Sequence, residues 1–346
     1  MPHPYPIREI ARQAGVSEAT VDRVLHGRPG VREGTVAQVR QAIADLDRQR
    51  SQLRLSGARF MLDVVMETPK RFSGLMRDAL EAELPTLRPA VFRARYHVRE
   101  SWQLDELVGE LDRIGRTGSN GVILKAPDAP QVAAAIERLT ARRVPVITAV
   151  TDVPQSTRIA YVGMDNHAAG ATAAYLVGQW ARDVPGVLLV ITSGERFRGE
   201  EEREMGFRSG IRRYDPERRI IEITDTGGID AACRRAVARV LDREPEVAAV
   251  YSPGGGNRGI VAAFDDVGRS YGAYIGHDLA ESNRELLVEG RISALLHHDL
   301  RADLRGAAHA VMAYHGAIDG PRRPRPTAIQ IVTPPNLAGV AGGVSG

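Results

Sequence analysis

Residues Ile7 to His26 read IREIARQAGVSEATVDRVLH, and this stretch decides how the rest of the chain is read. Ile7, Ile10, Ala11 and Ala14 recur at intervals of three and four, which places them on one face of a short helix. Gly15 predicts its stop, because glycine takes the left-handed conformation of a helix end at little steric cost. Ser17 is suited to cap a second helix from Glu18 to Leu25. Val21, Val24 and Leu25 then form its inward stripe, and Glu18, Ala19, Asp22 and Arg23 face out.

This is the spacing of a helix-turn-helix, whose second helix enters the major groove of DNA with its N-terminal residues toward base edges. Arg23 can donate two hydrogen bonds to guanine and Glu18 can accept from cytosine. A plain helical hairpin packed on a larger core is the alternative. Small Ala11, Gly15 at the turn, Ser17 as cap and Thr20-Val21 one turn later favour the DNA reading. A third helix is expected from Glu33 to Arg48, with Val36, Val39, Ile43 and Leu46 on one side. Charge agrees: through Arg59 there are ten arginines and six acids, whereas the whole chain is only +3.

At 346 residues the chain suits two or three domains. Its one cysteine, Cys233, excludes an intramolecular disulfide, fits a reducing compartment and reads as a helix-packing residue. MPHPYPIREI contains no apolar stretch of signal-peptide length and no run approaches a membrane span, so a cytoplasmic protein is expected.

From Phe60 onward, short apolar runs alternate with amphipathic stretches, which predicts parallel sheets covered on both faces, an α/β architecture. Eleven strand candidates, from Phe60–Met66 to Ile329–Val332, are too many for one ordinary doubly wound sheet, so two lobes are expected. Ligands of such folds bind outside the carboxyl ends of the strands. The residues there include Phe72, Lys125, Asp152, Phe197, Arg203, Asn257, Asp278 and His298, a polar set of both charges suited to a hydroxyl-rich small molecule.

GGGNRG at 254–259 satisfies GxGxxG, follows a strand and opens a helix, with Asp278 about twenty residues on, the local signature of a dinucleotide site. An NAD-dependent oxidoreductase is therefore the best enzyme hypothesis. Against it, the motif falls late in the chain, and the glycines are equally explained by a tight turn that brings Asn257 and Arg258 to a cleft. His297, His298 and Asp299 are adjacent on a strand and point to opposite faces, so no metal site is expected. There is no GxxxxGK[ST] loop, HExxH pair or GxSxG elbow, and the chain is read as a non-enzyme without a cofactor.

The segment AGVSEATVDRVLHGRPGVREGTVAQV resembles the helix-turn-helix and third helix of the LacI family of bacterial transcriptional repressors. PVITAVTDVP, IAYVGMDNHAAGATAAYL, REMGF, YIGHD and ISALLHHDL resemble, in order, that family's body, a module shared with ribose-type periplasmic binding proteins. The resemblance implies a homodimer that binds a roughly palindromic operator and responds to a small effector between two lobes. It implies a head at 1–49, a hinge at 50–59 and an effector domain at 60–346. The N-lobe is expected at about 60–163 and 295–325, and the C-lobe at about 164–294 and 326–337.

By position, Arg203 and Asp278 match residues that commonly hold sugar hydroxyls, Asp152 and His298 fall where a carboxylate and an amide are common, and Phe72 falls where an aromatic stacks on a sugar ring. The DNA-contacting set is Ser17, Glu18, Ala19, Thr20, Asp22, Arg23, His26 and Arg28, with Leu55 or Leu53 as an apolar wedge in the minor groove. The chain departs from the family pattern at Asp22, where Ser is usual, at Pro6, where Thr is frequent, and in LDRQRSQLRLSGAR, which lacks the Pro-Asn pair before the hinge helix. Lys70, Lys125, Arg203 and Arg258 admit a sugar acid or phosphosugar, but basic residues at pocket mouths often only face solvent, so a neutral sugar or polyol is favoured. A solute receptor for transport is the second rival, disfavoured by the N-terminal head.

Overall fold

The computed structural model describes residues 4–55, 59–194, 196–320 and 324–341, with side chains left out at 48–55 and 341. The head contains α1 (Ile7–Ala14), α2 (Glu18–Leu25) and α3 (Glu33–Leu55). Gly15 ends α1 at φ 64°, and Ser17 caps α2 by accepting from the Thr20 amide at 3.2 Å. Ile10, Ala11, Ala14, Val21, Val39, Ala42 and Leu46 close a small core together with Tyr5, whose hydroxyl donates to Asp47 at 2.6 Å. Gln38 Nε2 donates to the Ala14 carbonyl at 2.8 Å, so α3 satisfies a carbonyl at the end of α1.

The third helix is longer than expected, running to Leu55 through most of the anticipated hinge. No glycine or proline falls between Thr35 and Ser56-flanking Leu55, and the run of Ala, Gln, Arg and Leu favours continued helix. The Leu55 side chain lies outside the described residues.

Beyond the head come β1 (Arg59–Glu67), α4 (Lys70–Glu83), β2 (Val91–Arg99), α5 (Leu104–Thr117), β3 (Gly121–Lys125), α6 (Pro130–Ala141), β4 (Val146–Ala149) and β5 (Ala160–Val162). They form a five-stranded parallel sheet of order β2-β1-β3-β4-β5. The second lobe is built from α7 (Asn166–Trp180), β6 (Val187–Ile191), α8 (Arg198–Tyr214), β7 (Ile220–Ile223), α9 (Asp230–Leu241), β8 (Val247–Ser252), α10 (Asn257–Asp266), β9 (Ala273–His277), α11 (Glu281–Val288) and β10 (Ala294–His297). After them come α12 (Leu300–Tyr314), β11 (Gln330–Val332) and α13 (Leu337–Ala341). The second sheet has the order β11-β10-β9-β8-β6-β7, with only β11 antiparallel to its neighbour.

The chain passes between lobes three times: after β5, after β10 and again before β11. The second passage follows His297 rather than the expected position near 294, because β10 pairs with β9 in the second sheet. α12 then packs in the first lobe's core through Leu300, Leu304, Ala308 and Val311. Its return is fixed by Glu83, which is buried and receives Arg301 Nε at 2.7 Å and Arg305 Nε at 2.6 Å. The passages are also tied to one another. Met164 and Thr327 pair as a parallel bridge, Thr327 Oγ1 donates to Asp303 Oδ1 at 3.0 Å, and Asp303 Oδ2 lies 2.5 Å from His298 Nδ1.

α8 (RGEEEREMGFRSGIRRY) is dense in charge and carries internal glycines, so apolar periodicity marks it poorly. Those glycines have a packing role. A Cβ on Gly170 of α7 would lie 1.8 Å from the Arg203 carbonyl oxygen, and one on Gly206 would lie 2.1 Å from that of His167. The two helix backbones therefore touch, a separation only glycine permits. Gly170→Ala is expected to lower unfolding free energy by about 3 kcal/mol, the upper range for overpacking a core, read from urea denaturation against the parent protein.

Candidate functional site

The carboxyl ends of both sheets meet at a cavity of about 450 Å³ lined by residues of both lobes. From the first lobe, β1 ends at Glu67, Arg71 and Phe72 stand at the start of α4, and β3 ends at Lys125. The second lobe supplies Ser193, Phe197, Glu200, Arg203, His277 and Asp278.

Arg203 is the most firmly held. It is buried, with Nε donating to Asn166 Oδ1 at 2.8 Å and Nη1 to the Pro253 carbonyl at 3.3 Å, leaving Nη2 without a hydrogen bond among the described residues. Asn166 is oriented in turn by donating to the Val150 carbonyl and the Tyr161 hydroxyl. The helix contact at Gly170 and Gly206 thus sets where the guanidinium stands.

Asp278 sits at the end of β9 with φ 66°, a conformation unusual for a residue with a side chain. The turn is clamped by Asn283, whose Nδ2 donates to the carbonyls of His277 and Asp278 at 2.8 and 2.9 Å. Asn257 donates to Asn283 Oδ1 at 2.9 Å and accepts from the Tyr274 hydroxyl at 2.9 Å. Asp278 Oδ1, His277 Nδ1 and Glu67 Oε2 are buried and lack hydrogen-bond partners among the described residues. Three unmet polar atoms around one cavity, one from the first lobe and two from the second, are costly unless a ligand or water meets them.

Lys125 Nζ donates to the Glu67 carbonyl at 3.0 Å and stands 4.1 Å from the centre of the Phe197 ring. Burial draws its pKa down to about 8, opposed by the charges of Glu200 and Glu67. Burial pushes Glu200 up from the usual carboxylate range, although Ser193 donates to it from both hydroxyl and amide at 2.7 Å. Glu67 is raised by burial as well, offset by Arg196 at 3.1 Å. His277 is pushed well below the ordinary histidine range by burial and by Arg203, and its Nε2 shares a hydrogen bond with the Tyr251 hydroxyl at 2.9 Å. The wall therefore offers cationic donors, unmet acceptors, a neutral imidazole and two aromatic rings. A polyhydroxylated molecule matches it, since each hydroxyl both donates and accepts and the ring carbons present an apolar face.

Of the residues singled out from sequence, Phe72, Lys125, Phe197, Arg203 and Asp278 line this cavity. Asp152, Asn257 and His298 stand outside its lining. Asp152 accepts from Thr148 at 2.6 Å and from the Val153 amide at 2.8 Å and is paired with Arg158, bracing the turn after β4. Asn257 supports the Asp278 turn from behind, and fully buried His298 joins Asp303 between the lobes. Glu67, Ser193, Glu200, His277 and Asn283 were missed. Two of them, Glu67 and His277, are the last residues of strands that the apolar pattern alone ended one or two positions early.

The glycine loop is filled by protein. A Cβ on Gly255 would lie 2.1 Å from Arg71 Nη2, one on Gly256 2.2 Å from Cys233 Sγ, and one on Gly259 1.8 Å from the Asp230 carbonyl oxygen. Arg71 itself reaches across the cleft to donate to the Gly228 carbonyl at 3.0 Å. Neither Asn257 nor Arg258 reaches the cavity wall; Arg258 is exposed and paired with Glu285. Among the described residues no cluster of His, Cys, Asp or Glu is placed to hold a metal ion, and no helix is long and apolar enough to cross a membrane.

On the head, Ser17, Glu18, Ala19, Arg23, His26 and Arg28 are exposed, and Thr20 and Asp22 are half-buried. Ser17 and Thr20 share a hydrogen bond between hydroxyls at 2.8 Å, and Arg28 folds back to Asp22.

Residues 98–317 match the family model of the periplasmic binding protein domain, and residues 6–50 match that of the bacterial regulatory proteins, lacI family. The chain belongs to the periplasmic binding protein domain family, and its head matches the lacI family model. Over 39 residues it is 49% identical to the sucrose operon repressor of Vibrio alginolyticus, a match covering 11% of this chain and 42% of that curated relative. The chain shares its fold with GanP, a glucose-galactose binding protein from Geobacillus stearothermophilus, at TM-score 0.71 and 22% identity over 80% of this chain and 98% of that one. A solute-binding protein from Burkholderia graminis in complex with D-arabinose aligns at TM-score 0.72 and 19% identity, covering 80% of this chain and 96% of the other.

The depressed lysine has a measurable consequence. Between about 8 and the ordinary lysine range, folded Lys125 has released a proton that the unfolded chain retains, so stability rises with pH across that window. The difference in urea-unfolding free energy between wild type and Lys125→Met should shift in favour of wild type as pH climbs through it; no relative change would contradict the buried ammonium.

Proposed function

We propose that this protein is a ligand-responsive transcriptional regulator that binds operator DNA through its head as a homodimer and takes a small carbohydrate-like effector in the cavity between its lobes. The observation carrying this reading is that one chain joins a helix-turn-helix to a polar cavity lined from both lobes. Phe72 and Phe197 would cover the effector's apolar face, Arg203 and Lys125 would donate to its oxygens, and Asp278 would accept from its hydroxyls. Asn257 would act by holding the Asp278 turn.

The mechanism is a population shift. An effector that touches both walls favours one lobe arrangement over the other by its difference in affinity for the two. Two heads on a palindrome must keep a set spacing, so a modest change of lobe angle costs contacts at both half-sites. The curated relative's description as an operon repressor supports repression of sugar uptake or catabolism genes as the output. Ser17, Glu18, Ala19, Thr20, Arg23, His26 and Arg28 form the proposed contact surface on DNA.

A thermal-shift panel of sugars, polyols and sugar acids is expected to yield at least one compound that raises the melting temperature by mass action. With that compound and a selected operator, Arg23→Ala should lose about 1–3 kcal/mol of operator affinity and keep effector binding. Asp278→Ala should show the reverse. Loss of both functions in either folded variant would sink this division of labour.

A further inference from the structure

The outer face of α2 carries a carboxylate at a place where duplex DNA is proposed to dock. Asp22 lies one turn after Glu18 and one turn before His26, so the three share a ridge along the helix. B-DNA presents a negative charge about every 1.7 Å of its axis, so a bare carboxylate here opposes binding.

This charge is met from within the head. Arg28 Nη1 lies 2.9 Å from Asp22 Oδ2, and His26 Nδ1 lies 3.1 Å from Asp22 Oδ1 and 2.9 Å from the Asp22 carbonyl oxygen. The chain folds back to allow it: Gly27 takes φ 64°, and the Arg28 amide donates to the Arg23 carbonyl at 2.8 Å. Both basic side chains remain open to solvent, at 61% exposure for Arg28 and 58% for His26. The Arg28 cation that neutralises Asp22 is thus the same one that the proposed face would offer to phosphates, with the His26 ring beside it.

We propose that Asp22 is an internal competitor for the DNA phosphates: it occupies Arg28 and His26 when the head is free and thereby lowers affinity for duplex of any sequence. This rests on the reading of the head as a DNA-binding module. An exposed ion pair is weak and exchanges readily. A phosphate must displace Asp22 before Arg28 can serve it, which costs part of the binding free energy at every duplex.

The test is a double-mutant cycle on the full-length protein. Binding of a fluorescent mixed-sequence duplex is measured across a salt series for wild type, Asp22→Asn, Arg28→Ala and the double variant. Asp22→Asn is expected to bind roughly tenfold more tightly at low salt, with the slope of log K against log salt steeper by about 0.9 per head. Most of that gain should vanish in the Arg28→Ala background, and Asp22→Ser should behave as Asp22→Asn does. Unchanged or weaker binding by both Asp22 variants would overturn the proposal, as would an equal gain with and without Arg28, which would make Asp22 a simple repelling charge. Absence of salt-dependent binding by the wild type would instead overturn the DNA-binding reading, and this proposal with it.

Discussion

Asp303 holds the two lobes in a defined relation. Its carboxylate is buried, and its two oxygens meet Thr327 on the third passage between lobes and His298 on the second, while Thr327 bridges to Met164 on the first. Three chain segments that are far apart in sequence are thereby gathered at one place. Together they fix which strand ends face each other across the cleft. The cavity depends on that arrangement, since neither sheet supplies a complete wall.

The chemistry of the cavity follows from the fold's own economy of space. Strands of parallel sheets are covered on both faces, as the nearly unbroken burial along β1, β3, β6 and β8 shows. Apart from Asp63 of β1, which is buried against Arg95 and His97, the charged side chains of these strands stand at their ends, and the ends of two sheets pointed at one cleft concentrate Glu67, Lys125, His277 and Asp278 there. Their charges are then tuned by burial: Lys125 and His277 are pushed toward neutrality, and Glu67 and Glu200 are raised. A wall of weakened charges and unmet hydrogen-bonding atoms suits hydroxyl groups better than it suits a compact ion.

Much of this was legible before any coordinates. Gly15 and Ser17 marked the turn and cap of the head because their effects are local, set by one backbone angle and one hydroxyl. The alternation of apolar runs gave the strands of both sheets for a similar reason, since burial on both faces leaves its mark residue by residue. Pattern failed where packing overrode composition: α8 carries too much charge and too many glycines to read as a helix, yet its glycines are what let it lie against α7. The linker failed in the opposite sense, because the missing Pro-Asn pair concealed a helix that simply continues to Leu55.

The sequence by itself determined the helix-turn-helix, the two-lobed α/β class and five of the cavity's side chains, because strand ends and helix caps are properties of short segments. Only the tertiary structure decided that Asp152 and His298 brace the frame, that Asn257 works from behind the wall, and that Arg71 fills the glycine loop from the opposite lobe. It alone showed Asp22 held by Arg28 as well. Each of these depends on which segment meets which across a turn, a passage or a cleft, and no local pattern of residues encodes that meeting.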